Sequence, residues 1–267
     1  MSTQAATAAQ RLIQITDPHI GGRPDYQLLG LDTGHTLNEV LAAITAEPRA
    51  AELMVVTGDV SANGSEDSYR RFLNKMQPVH PPWYWLPGNH DKPQRMDELA
   101  PRRRPEVIPV GNWRLLMLDT SVAGHICGGL DERELARLRQ LIEDNADHPL
   151  MLLMHHQPVP VGSHWIDGHM LRTGREAFID LVQGADNVRA LTWGHVHQQF
   201  DSHLGHIGLH ATPSTSVQFT PGSGPFSVDS EMPGYRWFEL YDDGRYETGV
   251  ERVQMAEYSV DLASSGY

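Results

Sequence analysis

Five short apolar runs, each closed by a cluster of Asp, Asn and His, constrain this chain more than any other feature. The runs are Arg11-Leu-Ile-Gln-Ile-Thr16, Leu53-Met-Val-Val-Thr57, Trp83-Tyr-Trp-Leu86, Leu150-Met-Leu-Leu-Met154 and Arg189-Ala-Leu-Thr-Trp193. Behind them stand Asp17-x-His19, Gly58-Asp59, Gly88-Asn89-His90-Asp91, His155-His156 and Gly194-His195-x-His197. Apolar runs of this length read as buried strands. Side chains repeat every second residue on an extended chain, so His195 and His197 leave their strand end pointing the same way.

Helical spacing falls between the runs. Leu37, Val40, Leu41 and Ile44 share a face over 34–46, and Tyr69, Phe72, Leu73 and Met76 share one over 65–76. Asp131 with Glu134 reads as an N-cap and capping box before a face of Leu135, Leu138, Leu141 and Ile142, and 176–182 is a further helix. Trp113–Leu118 is another strand, and 203–253 reads as short β segments. Residues 92–105 are polar, and Arg102-Arg103-Arg104 reads as a solvated face. Strands alternating with helices argue for an α/β fold or a mixed α/β sandwich, with helices layered on sheet.

The polar start, 1–10, is expected to be disordered, 11–253 to form one domain and 254–267 a tail. A net charge of −13 argues against a nucleic-acid partner. The chain has neither an apolar run of roughly 18 residues nor a signal-like start, so no membrane partner is expected. With one cysteine, Cys127, it has no disulfide framework, and a cytoplasmic location follows. The oligomeric state is not legible.

Carboxylate, amide and imidazole donors at five strand ends form a mixed N/O set suited to Mn, Fe, Zn, Co or Ni, unlike the thiolates of structural zinc. Ligand sites in open α/β sheets gather outside the carboxyl ends of strands. The donor set is too large for one tetrahedral ion and suits two ions sharing a carboxylate. Gly58, Gly88 and Gly194 would let backbone turn and approach closely. Each cluster also has a plain reading. Asp59 could cap a helix, Asn89-His90 could be a β-turn, His155 could be a core histidine, and Asp17 could start an Asx turn before Pro18. All five being plain at once, each behind a strand, is the weaker account.

In this order the clusters resemble the calcineurin-like metallophosphoesterase superfamily, with its D-x-H, G-D, G-N-H-D/E, H and G-H-x-H blocks, over roughly residues 11 to 250. Within it the chain is similar to bacterial class III cyclic-AMP phosphodiesterases. That likeness is carried by Ile13–Asp17, Leu86–Asp91, Gly194–Gln198, Ala211–Phe219 and Ser264-Ser265-Gly266-Tyr267. The resemblance implies a four-layer α/β/β/α sandwich of two mixed β-sheets flanked by helices. It implies two divalent or trivalent ions, Fe or Mn, with Zn, Co and Ni possible. Asp17, His19, Asp59 and His197 would hold one ion, and Asp59, Asn89, His155 and His195 the other.

By the same resemblance His90 is catalytic and not a ligand, and His19, Asp59, Asn89, His90 and His197 meet the substrate. His156 is left a place behind the ligands, Asp91 fixes the turn or orients His90, and Asp119 is a candidate partner for a ligating histidine. The implied reaction is hydrolysis of 3′,5′-cyclic AMP to 5′-AMP by a bridging hydroxide, the cyclic nucleotide being the small-molecule partner. Alternatives are a broader diesterase acting on glycerophosphodiesters or other small diesters, a monoesterase, or a silent metal-binding scaffold. Substrate loops are expected at 160–172 with His164, Trp165, His169 and Arg172, at 211–219, and at 61–66 with Asn63. Trp165 or Phe219 is the candidate for stacking on a base, against the plainer role of packing. His203, His206 and His210 fit no ligand pattern and are expected to be ordinary surface or core residues.

Overall fold

A computed structural model describes residues 9–266. The first part of the chain forms β1 (Gln10–Ile15), α1 (Thr33–Ala46), β2 (Leu53–Thr57), α2 (Glu66–Met76), β3 (Trp83–Leu86), α3 (Pro93–Leu99), β4 (Val107–Val110) and β5 (Trp113–Met117). There follow β6 (Gly128–Gly129), α4 (Glu132–Asp144), β7 (Leu150–Leu153), α5 (His164–Asp167), β8 (Leu171–Thr173), α6 (Arg175–Gln183) and β9 (Val188–Trp193). The last are β10 (Phe200–Leu204), β11 (Ile207–Ala211), β12 (Gln218–Phe219), β13 (Val228–Asp229), β14 (Gly234–Leu240) and β15 (Tyr246–Arg252).

Two mixed sheets dominate, ordered β15-β14-β1-β2-β3 and β10-β11-β9-β7-β5-β4. In the first, β1, β2 and β3 are parallel, and in the second β5, β7, β9 and β11 are parallel. Their strands are continuous apolar runs because both faces are covered. Leu53 and Val55 point into a core shared with Met151, Leu153 and Phe238, between the sheets. Met54 and Val56 point the other way, onto Leu37 and Val40 of α1 and Phe72 of α2. On the far face of the second sheet, Leu150 and Leu152 meet Leu138 and Ile142 of α4 and Phe178 of α6. The result is the α/β/β/α sandwich.

Several local expectations change. Gln10 already pairs with Leu240 in the β1–β14 ladder, so order begins before residue 11, while residues 1–8 lie outside the described residues. Asp131 caps α4 through the Glu134 N–H, but the Glu134 carboxylate turns to Arg137 and leaves the capping box half made. The polar stretch 92–105 contains α3, started by Pro93. Nor are its arginines simply solvated: Arg103 lies 4.0 Å over the Trp83 ring, and Arg104 pairs with Asp97 and Asp119. The strand β4 carries Pro109 at a sheet edge, where a missing N–H is tolerated.

Candidate metal centre

Asp17 and His19 follow β1, Asp59 follows β2, Asn89 and His90 follow β3, His155 follows β7, and His195 and His197 follow β9. Asp17 N–H donates to Gly58 O at 3.1 Å within the first sheet and Gly194 N–H to His155 O at 3.2 Å within the second, while His195 N–H donates across to the Asp17 carboxylate at 3.0 Å and ties the two sheets at this edge. The side chains then converge. His197 Nε2 is 3.3 Å from Asp17 Oδ1, and Asp59 Oδ2 is 3.7 Å from His19 Nε2 and 3.4 Å from His155 Nε2. Asn89 Oδ1 is 3.2 Å from His155 Nε2. Donor atoms of Asp17, His19 and His197 lie within 4.8 Å of one another, as do those of Asp17, Asp59 and His155.

The outer nitrogens set the tautomers. His155 Nδ1 donates to Thr57 O and His197 Nδ1 to Val217 O, both at 2.8 Å, which turns each Nε2 lone pair inward. His90 is held the same way, its Nδ1 donating to Ala62 O at 2.9 Å. His195 Nε2 is buried with no hydrogen-bond partner, as a donor awaiting a ligand would be. Asp17 and Asp59 are buried, and their ion-pair partners are histidines. Burial pushes both carboxyls up, but His197 holds Asp17, and His155 and His90 hold Asp59, below the usual range. Burial also works against a charge on His155, yet Asp59 outweighs it and raises the imidazole to about 9. His195 is held far below its ordinary value, first by burial and then by His156 and His155. A buried pair of carboxylates ringed by imidazole nitrogens is a set that cations fit.

The backbone is bent to make this set. Asp17, His19, Asp59, His195 and His197 all have φ between 45° and 64°. Each such non-glycine residue costs about 1–2 kcal/mol, and such strain clusters where function over-determines the backbone. Gly88 allows a close approach of backbone to Asp59, for a Cβ there would lie 2.1 Å from Asp59 Oδ1. Asp91 ties the loops together by accepting from the N–H groups of Val60, Ser61 and Gly88 and from Tyr69 O–H, each at 3.0 Å. Burial, then the charge of Asp59, raises its carboxyl to about 6.

A cavity of about 400 Å³ opens over Asp59, Asn89, His90 and His195, walled by Ile126, Trp165, His169 and Phe226. A second, of about 560 Å³, lies across His90 and includes Asn63 and Lys92. His19 and His197, expected against substrate, lie deeper and are essentially unexposed. The 160–172 loop supplies Trp165 and His169, whereas Arg172 turns to Gly168 O. Phe219 is buried and stacked 4.3 Å behind His197, so it clamps a ligand candidate and is not placed for a base. Ser214 and Ser216 donate to Asp17 O, which makes the 211–219 segment a brace for β1. Asp119 accepts from Arg104 and Ser121 and reaches no histidine. His210 is a buried residue outside the ligand set, bonded to Asp201 and Tyr246. Gly266 reaches the cavity wall, a placement that polar tail residues gave no sign of.

Residues 10–199 match the family model described as calcineurin-like phosphoesterase. The chain is 41% identical over 268 residues to a Pseudomonas aeruginosa protein named 3′,5′-cyclic adenosine monophosphate phosphodiesterase CpdA, covering 100% of this chain and 98% of that one. It is 34% identical to a Haemophilus influenzae protein of the same name, covering 99% and 97%. Among solved structures, a dimetal phosphatase from Danio rerio superposes with a TM-score of 0.66 at 13% identity, covering 92% of this chain and 100% of that one, and thus shares the fold.

Proposed function

The chain belongs to the calcineurin-like phosphoesterase family, and on that premise we propose that it hydrolyses 3′,5′-cyclic AMP to 5′-AMP as a metal-dependent phosphodiesterase. The observation that carries this reading is the convergence of Asp17, His19, Asp59, Asn89, His155, His195 and His197 beside the His90 cavity. Asp17, His19, Asp59 and His197 would hold one ion and Asp59, Asn89, His155 and His195 the other. The N/O donors support Fe or Mn, and Zn, Co and Ni match the same set. A cytoplasmic location belongs to the same reading, supported by the lone Cys127. Among the described residues, no helix is long and apolar enough to cross a membrane.

Two bound cations would make a water nucleophilic near neutral pH and draw charge from the phosphate. The rest is the work of side chains. His90 Nδ1 is committed to Ala62 O, so a second proton on this ring sits on Nε2, where it donates to the ester oxygen as the P–O3′ bond breaks. Asn89 directs Oδ1 toward His155, and its amide hydrogens, facing away, hold a non-bridging phosphate oxygen. Trp165, Ile126 and Phe226 offer the nucleoside an apolar wall and keep bulk water from the reacting phosphate. Product identification after incubation with cyclic AMP and added Mn or Fe tests the proposal. It expects 5′-AMP, formed faster than products from glycerophosphodiesters or bis(p-nitrophenyl) phosphate. No turnover of cyclic AMP by the metallated protein overturns it.

A further inference from the structure

We propose that His156 is a positioning residue that fastens the loop 121–127, one wall of the substrate cavity, to the ligand histidines. Its ring is buried between them, 4.8 Å from that of His155 and 4.7 Å from that of His195. Its donor atom groups with theirs as though it were a third ligand. Both nitrogens are already used, however. Nδ1 lies 2.8 Å from Thr120 Oγ1 and Nε2 lies 3.0 Å from Ile126 O.

A carbonyl oxygen only accepts, so Nε2 carries the hydrogen and Nδ1 accepts from the Thr120 hydroxyl. That hydroxyl accepts in turn from the His156 N–H at 3.3 Å, and the circuit closes with every group used once. The ring lies so flat on Gly128 that a Cβ there would sit 2.5 Å from its Cγ. Gly129 N–H donates to Thr120 O at 3.0 Å and draws the loop shut behind it.

The two bonds grip the loop at each end, at Thr120 and at Ile126. Between them the chain is exposed, and the Ile126 side chain, 54% exposed, stands at the cavity mouth. Gly124, His125 and Ile126 face the cavity of about 400 Å³, while Ser121, Val122 and Ala123 face the second cavity. The loop therefore partitions the space over Asn89 and His90, and His156 holds it at a fixed height above the ligands. An unbraced loop would hold substrate less well while leaving the reacting groups in place.

This assignment rests on the reading of that cavity as the substrate site, and the test separates the two. Thr120→Val removes the hydroxyl at nearly constant shape, Thr120→Ser restores it, and His156→Phe keeps the ring without its bonds. Thr120→Val and His156→Phe are expected to raise KM for cyclic AMP about tenfold, the change that about 1.4 kcal/mol produces. Metal content should stay as in the parent and kcat should fall far less than KM rises. Amide hydrogen exchange across 121–128 should quicken in both, and Thr120→Ser should behave as the parent. Unchanged exchange in a folded, metallated Thr120→Val overturns the proposal, and so does loss of metal and kcat with KM intact. Faster loop exchange in a protein that turns over no cyclic AMP would keep the brace and reject the substrate reading.

Discussion

His19 Nε2 and His197 Nε2 stand 3.2 Å apart in the interior, although 178 residues separate them along the chain. His197 Nδ1 is spent on Val217 O, so its Nε2 faces His19 as a lone pair. Asp17 Oδ1 lies 3.3 Å from the same nitrogen. With that nitrogen accepting, His19 Nε2 carries the hydrogen of the bond between them, a proton that a cation bound there would displace.

His195 and His197 leave one strand end but join different groups, His197 with Asp17 and His19, His195 beside His155. His195→Ala and His197→Ala are each expected to retain roughly one of two ions, counted by elemental analysis of purified protein. Loss of both ions from either variant contradicts the division.

His90 faces the cavity while its backbone N–H donates to Asp59 Oδ1 at 2.9 Å. Replacing it by Ala leaves that backbone bond in place and removes the proposed proton donor. Turnover should fall by about 10²–10⁴-fold with metal content unchanged. A fully metallated His90→Ala with parental turnover removes His90 from the chemistry.

Gly88→Ala should be damaging out of proportion to one methyl group. The added Cβ would lie 2.1 Å from Asp59 Oδ1 and 2.7 Å from His155 Nε2, both buried. Overpacking of this kind costs about 1–3 kcal/mol, and here it pushes directly on the carboxylate proposed to be shared by the two ions. Urea unfolding and metal titration of the variant should show reduced stability and weaker metal binding together, whereas parental values for both would show that the loop simply moves aside.

Acid stability should depend on Asp201. Burial alone would raise its carboxyl, but the His210 hydrogen bond and Arg236 outweigh that and hold it well below its ordinary value. The folded pKa is thus below the unfolded one of about 3.9. The stabilisation is present above about pH 4 and is lost as pH falls through the folded value. Asp201→Asn should lower Tm at neutral pH, and its deficit should shrink as the pH is taken below about 4. Parallel Tm curves across that range would contradict this.

The strands that carry the centre were legible in the order of residues, because a run buried on both faces announces itself without alternation. The helix Pro93–Leu99 and the strand Val107–Val110 were not. Both are short and polar or proline-bearing, and they are held by contacts such as Arg104 on Pro93 O and Asp97 and the pairing of Val107 with Leu116. Phe219 was a candidate for stacking on a base against the plainer role of packing, and its place 4.3 Å behind His197 decided for packing. The tail gave no hint that Asp261 N–H would bond Leu29 O or that Gly266 would reach the cavity.

The sequence by itself determined which donors leave which strand ends, since period-two geometry and the apolar runs are local properties. Tertiary structure decided how those donors combine. The meeting of two sheets sets Asp59 between His19 and His155, bends five ligand candidates into the left-handed region and tells His155 from its neighbour. His155 and His156 are alike in type and adjacent in the chain. One turns its Nε2 toward Asp59 and the other spends both nitrogens on Thr120 and Ile126, because hydrogen-bond partners come from wherever the folded chain brings them.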